Sequence, residues 1–267
     1  MKVIELVKQF EKFAPKKIAV DGDPIGLQIG SLNQDVHKIM TTLDVRPEVV
    51  DEAINNHVDF IFSHHPLMFR PAKNLDLSNP QNSMYAKIIE HHITVYSAHT
   101  NLDNAVGGMN DWLADSLQLK DTKGLVYQTK MNNHEYFMGR IGILSNTMTV
   151  YEFAEFCKKQ FNISGLRLIS NTPDKLVNKV AILGGDGGKF FNIAKNKGAD
   201  VYVTGDVYYH VGHDMLASDF SVVDPGHHIE SICKPYLAVM FRKWAKQLNW
   251  NVEVIESDIN TDPFTFI

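Results

Sequence analysis

At the amino end, Val3, Leu6, Val7, Phe10 and Phe13 recur at helical spacing with Glu5, Lys8 and Glu11 between them, which predicts an amphipathic helix. Runs rich in β-branched residues then alternate with helical-period segments. Residues 38–43 read as a strand that ends at Asp44, and Pro47 opens a helix to about residue 57, because proline is accommodated in a first helical turn. Residues 59–62 form the next strand. It halts at Ser63-His64-His65-Pro66, where Pro66 removes a ladder donor and steers His65 away from helix. A helix at 81–91 leads into a strand at 94–98 and the segment His99-Thr100-Asn101-Leu102-Asp103. Gly107 and Gly108 precede a helix at 109–117.

The middle of the chain has a different rhythm. Residues 136–144 predict a strand, 149–160 a helix and 166–169 another strand, and we expect a small central subdomain over 125–170. The flanking parts, 1–124 plus 171–267, would form one domain. From residue 179 the alternation returns: strand 180–183, the turn Gly184-Gly185-Asp186-Gly187-Gly188, helix 189–197, strand 200–204, helix 208–217, strand 221–223, a long helix 228–247 and strand 252–255. Strands alternating with helices imply an α/β fold with mixed sheets flanked by helices.

Composition narrows the partners. The chain has 267 residues, 44 % hydrophobic and 21 % charged, which excludes disorder and disulfide-framed miniproteins. With 26 Lys and Arg against 31 Asp and Glu the net charge is -5, so nucleic acid is not a favoured partner. Neither a signal-like apolar run nor a membrane-length segment is visible, and a cytoplasmic protein without membrane partners is expected. Cys157 and Cys233 are too far apart for a C-x-x-C site and read as buried, reduced thiols.

The chemistry concentrates at strand ends. His64, His65, His99, His227 and His228 each follow a predicted strand, and α/β folds build sites beyond the carboxyl ends of their strands. Asp103 lies four residues after His99 and Glu230 three after His227, a spacing that places an imidazole and a carboxylate on one helix face. His64, His65, Asp103, His227 and Glu230 supply five nitrogen and oxygen ligands and no sulfur. That is generous for one four-coordinate ion and natural for a carboxylate-bridged pair. His91 and His92 read as surface residues at a helix end, and His210 and His213 as core or supporting residues. The glycine-rich turn fits no nucleotide motif and reads as a tight turn, and no nucleophile elbow occurs. Asp21 and Asp23 read as loop acids.

Five segments occurring in order carry a family resemblance: residues 21–30 (DGDPIGLQIG), Ser63-His64-His65-Pro66, residues 99–103 (HTNLD), Thr204-Gly205-Asp206-Val207 and residues 224–230 (DPGHHIE). Together they resemble the GTP cyclohydrolase 1 type 2 homologue family, also called Ngg-interacting-factor-like. The resemblance implies a metal-bearing α/β fold, a toroidal homohexamer, and His64, His65, Asp103, His227 and Glu230 as ligands of two divalent ions per chain, with His99 close by. Some members space the last His and Glu four apart, which would put Ser231 in place of Glu230. The expected activity is that of a metal-dependent hydrolase acting on a small molecule such as a purine nucleotide. Zinc, iron or manganese would activate water, Glu230 would bridge the ions, and His99 would be the general acid or base. A non-enzymatic metal- or nucleotide-binding hexameric scaffold is the alternative, and a two-metal phosphoesterase or nuclease a third reading.

Overall fold

The helical periodicity at the amino end is realised as α1 (Val3–Phe13), whose Val3, Leu6, Val7 and Phe10 are buried. A computed structural model describes all residues from Met1 to Ile267. After α1 come β1 (Gly26–Ile29), β2 (Lys38–Thr42), α2 (Pro47–Asn55), β3 (Phe60–Ser63), α3 (Pro80–Glu90), β4 (Thr94–Ser97), α4 (Thr100–Asn104) and α5 (Met109–Ser116). The central stretch holds β5 (Lys120–Met131), β6 (His134–Thr149), α6 (Val150–Gln160) and β7 (Arg167–Ile169). The remainder is β8 (Leu176–Asp186), α7 (Phe191–Asn196), β9 (Val201–Gly205), α8 (Tyr209–Ala217), β10 (Ser221–Asp224), α9 (Cys233–Leu248) and β11 (Glu253–Glu256).

The chain divides into two units, Met1–Leu102 with Ser231–Thr261, and Asp103–Glu230 with Asp262–Ile267. In the first unit a five-stranded sheet runs in the order β1-β4-β3-β2-β11. The four strands β4, β3, β2 and β11 are parallel and β1 is the antiparallel edge. Successive residues of a strand face opposite sides, and both sides are covered. Met40, Ile61 and Val95 pack with Val49 and Val50 of α2 and Ile88 of α3. On the other side Phe62 lies against Phe10 of α1, Tyr96 and Phe241 of α9, with ring centroids 4.7–5.5 Å apart. Burial on two faces explains why β3 reads FIFS rather than alternating with polar residues.

The second unit carries a six-stranded mixed sheet in the order β5-β6-β8-β9-β10-β7. Its parallel centre, β8-β9-β10, is flanked by antiparallel neighbours. Leu125, Ala181, Phe191, Tyr202 and Val222 belong to its core.

These units divide the chain differently from the expected 1–124 plus 171–267 and 125–170. Residues 125–170 do not stand apart. Through β6 pairing with β8 and β7 pairing with β10 they supply half of the second sheet, and ladder hydrogen bonds make them inseparable from residues 176–224. Two strands were not anticipated. β5 buries only Leu125 and Val126 among polar positions, and β1 is a short edge strand, so neither carries a long apolar run. The long helix begins later than expected, because His227–Ile232 form a 3-10 turn before α9. No helix is long and apolar enough to cross a membrane.

Phe10 is fully buried among Phe13, Phe62 and Phe241. Phe10→Ala is expected to cost about 3–5 kcal/mol in urea unfolding, the usual loss for emptying a buried aromatic site.

Candidate metal centre

In the first unit, parallel pairing sets Ser63 beside Ser97, so β3 and β4 end flush and their hydroxyls meet at 2.7 Å. The next residues of each strand are therefore neighbours. His64, fully buried, and His65 follow β3, with their N–H groups donated to the carbonyls of Thr42 and Leu43. His99 follows β4. The three imidazoles lie with ring centroids 5.1–5.7 Å apart, and each offers a ligand atom within 4.8 Å of the others.

Each ring is held from behind. His64 Nδ1 is 2.8 Å from the carbonyl of Ala98, His65 Nδ1 is 2.7 Å from Asp44 Oδ1, and His99 Nδ1 is 2.9 Å from Asp23 Oδ1. Carbonyls and ionised carboxylates only accept, so Nδ1 carries a proton in each, and in a neutral ring so held Nε2 has the lone pair. Asp44 is itself fixed by the hydroxyl of Thr261 at 2.6 Å. Burial opposes ionisation of Asp23, but the bonds from His99 and from the hydroxyl and N–H of Thr100 outweigh it and hold this carboxyl below its ordinary range.

In the second unit the carboxylates come from Asp103 of α4 and from Glu230 of the 3-10 turn that follows β10. Glu230 is 3 % exposed and Asp103 8 %, and their carboxylate oxygens lie within 4.8 Å. His227 Nε2 is 3.2 Å from Glu230 Oε2, and its Nδ1 is 2.7 Å from Asp206 Oδ2. The 3-10 turn brings His227 and Glu230 together directly, since residues three apart eclipse there. Asp224, at the end of β10, accepts from Val207 N–H and Gly226 N–H and pairs with Arg167. One carboxylate thus ties the loop bearing Asp206 to the turn bearing His227. Asn110 joins Asp103 to the glycine turn, donating to the Asp103 carbonyl at 3.1 Å and accepting from Gly184 N–H at 3.1 Å.

The glycine turn is built for closeness rather than for a phosphate. A methyl group at residue 184 would stand 2.5 Å from Glu230 Oε1 and 2.9 Å from Leu113 Cδ1, and Gly185 has φ +64°. Its N–H groups at 184 and 187 are donated internally, to Asn110 and Thr204.

All the expected site residues fall in these two groups, His64, His65 and His99 in one and Asp103, His227 and Glu230 in the other. Glu230, not Ser231, is the carboxylate that His227 meets. Sequence reasoning missed Asp44, Asp206, Asp224 and Asn110 as supports, and placed Asp23 among the solvated loop acids although its side chain is 4 % exposed. The signal available was position, because Asp44, Asp206 and Asp224 each stand at or just beyond a strand end. Asp21 is exposed, and His210 and His213 are exposed beside Tyr209 rather than in the core. Both cysteines are buried, and burial pushes the Cys157 thiol well up, which removes it as a nucleophile.

The donor set, imidazole nitrogen and carboxylate oxygen with braced rings, fits a divalent transition cation.

Residues 1–263 match the sequence profile of Duf34/NIF3 (NGG1p interacting factor 3). A Streptococcus pneumoniae protein named GTP cyclohydrolase 1 type 2 homolog is 39 % identical over 266 residues, covering 98 % of each chain. A Listeria monocytogenes protein of the same name is 35 % identical over 360 residues, covering 96 % of each. That alignment exceeds the 267 residues present here, so the Listeria relative carries inserted sequence. The crystal structure of a Bacillus cereus protein related to NIF3 superposes with a TM-score of 0.95 at 31 % identity, covering 100 % of this chain and 99 % of that one.

Two measurements check the local geometry. Gly184→Ala forces its methyl against Glu230 and is expected to destabilise by about 1–3 kcal/mol, read as a lowered midpoint in thermal or urea unfolding. Asp23 has a depressed folded-state pKa, so its contribution is present above the ordinary carboxylate pKa and lost as pH falls through the depressed value. The stability gap between wild type and Asp23→Asn should therefore be widest above about pH 4 and shrink on acidification.

Proposed function

We propose that this chain, which belongs to the Duf34/NIF3 family, binds a pair of divalent cations through His64, His65, Asp103, His227 and Glu230 and acts as a hydrolase on a purine nucleotide or a related heterocycle. The observation that carries this reading is the bracing of His64, His65, His99 and His227, each bonded at Nδ1 to an oxygen acceptor, three of the four being carboxylates. Carboxylate-braced imidazole is the usual setting of a metal-ligating histidine. Relatives named for GTP cyclohydrolase direct the choice of substrate class toward nucleotides.

Zinc, iron or manganese would suit these donors and, when bound, supply Lewis acidity and a lowered water pKa. The chain's own residues do the rest. Asp103 and Glu230 bring two buried negative charges, which are tolerable in the interior when cations neutralise them. Glu230, near both His227 and Asp103, would be the carboxylate that holds both cations. His99, with its proton held at Nδ1 by Asp23, offers Nε2 to accept a proton and return it, the work of a general base and then acid. Self-association into a homohexamer belongs to the same reading.

Metal analysis of protein purified without chelator should give close to two ions per chain. His64→Ala and Asp103→Ala should lose them together with turnover in a screen of GTP, nucleoside monophosphates, dinucleotides and single-stranded DNA. Asp206→Asn, which weakens the brace on His227, should lower metal affinity by about 10–100-fold. Two ions retained with no turnover of any nucleotide would leave a metal-loaded scaffold in place of a hydrolase. Absence of metal in native protein would overturn the reading as a whole.

A further inference from the structure

Phe69 is an apolar ring left in solvent beside the imidazole cluster. It is 64 % exposed, yet its ring centroid is 6.5 Å from that of His99, and the two planes stand at 83°. The two rings meet edge-on rather than stacked, and most of the Phe69 side chain stays in solvent. The segment around it is anchored rather than loose. On the near side, Met68 N–H is donated to Gln28 Oε1, and the Leu67 carbonyl accepts from Tyr85. On the far side, Asn82 donates to the side chain of Asn74 and the carbonyl of Asp76. Between these ties run Phe69-Arg70-Pro71-Ala72-Lys73, all exposed, with two cations and a proline that restricts the backbone. Nothing in folding requires a phenyl group in water at this position.

We propose that Phe69 is a specificity-determining residue, a platform on which the flat heterocycle of an anionic, nucleotide-like substrate stacks while its reacting atoms face the histidine cluster. Every nucleobase has a π-face that an aromatic side chain can cover, and such stacking is sequence-tolerant but demands a planar ring. Arg70 and Lys73, exposed in the same segment, are the kind of cations that a phosphate on the same ligand would pair with. This inference rests on the nucleotide reading above, and it assigns to one side chain the discrimination between a base-bearing substrate and its sugar phosphate alone.

The test compares GMP with ribose 5-phosphate by isothermal titration calorimetry, using wild type, Phe69→Leu and Phe69→Trp in metal-free and metal-supplemented forms. Metal content is measured in parallel. Wild type should prefer GMP by roughly ten-fold, Phe69→Leu should bring the two ligands to within about two-fold, and Phe69→Trp should restore the preference. Metal content should be the same in all three proteins, because Phe69 offers no ligand atom. A wild type with no preference for GMP, or a preference that survives in Phe69→Leu, overturns the inference. The metal content judges the dinuclear reading separately, so failure of one is not mistaken for failure of the other.

Discussion

A hydrogen bond at Nδ1 governs what the histidines of this protein can do. An imidazole has two nitrogens, and its ring turns freely about the last side-chain torsion unless something holds it. The Ala98 carbonyl and the carboxylates of Asp44, Asp23 and Asp206 each take the Nδ1 proton of one ring. That single bond puts a proton on Nδ1, fixes the plane and leaves Nε2 as the nitrogen turned toward the site. Without it, four histidines at strand ends would be four basic side chains of undecided direction.

The fold delivers those bonds because parallel strands end together. β3 and β4 finish at Ser63 and Ser97, so His64, His65 and His99 emerge side by side. β9 and β10 finish at Gly205 and Asp224, so Asp206 and His227 do likewise. Small groups then let the chain come close. At Gly184 and Gly185 the backbone lies against Glu230, where any side chain would intrude, and Asn110 locks that turn to the Asp103 segment. Arg140 is also buried, gripping both carboxylate oxygens of Asp111 at 2.6 Å and the Ala105 carbonyl at 3.1 Å. It steadies the stretch that follows Asp103.

The electrostatics of the second unit point in one direction. Asp103 and Glu230 are carboxylates that stand close together in the interior, and like charges so placed repel strongly in low dielectric. His227, whose Nε2 is 3.2 Å from Glu230, adds to them a ligand type that suits a divalent cation. Surface features differ from this interior logic. Phe69 stands in water next to His99, where its apolar faces are available to a flat ring.

Much of this was readable in residue order. Alternating β-branched runs and helical periods gave the α/β class, Pro47 and Pro66 marked a helix start and a strand stop, and the family-like segments marked every ligand now proposed. What periodicity could not reveal were largely polar strands such as β5, which buries only Leu125 and Val126 and is aligned along its length by ladder hydrogen bonds to β6. For the same reason the boundary between units escaped notice. Residues 125–170 look independent in sequence but are stitched to 176–224 by long-range ladders. The supports of the site were equally hidden. Asp44 lies 21 residues from His65 and Asp23 lies 76 from His99, and only tertiary structure sets such partners 2.7 and 2.9 Å apart. Residue type dictates which atoms can bind a cation or hold a proton, whereas direction and distance arise from packing, which no local pattern encodes.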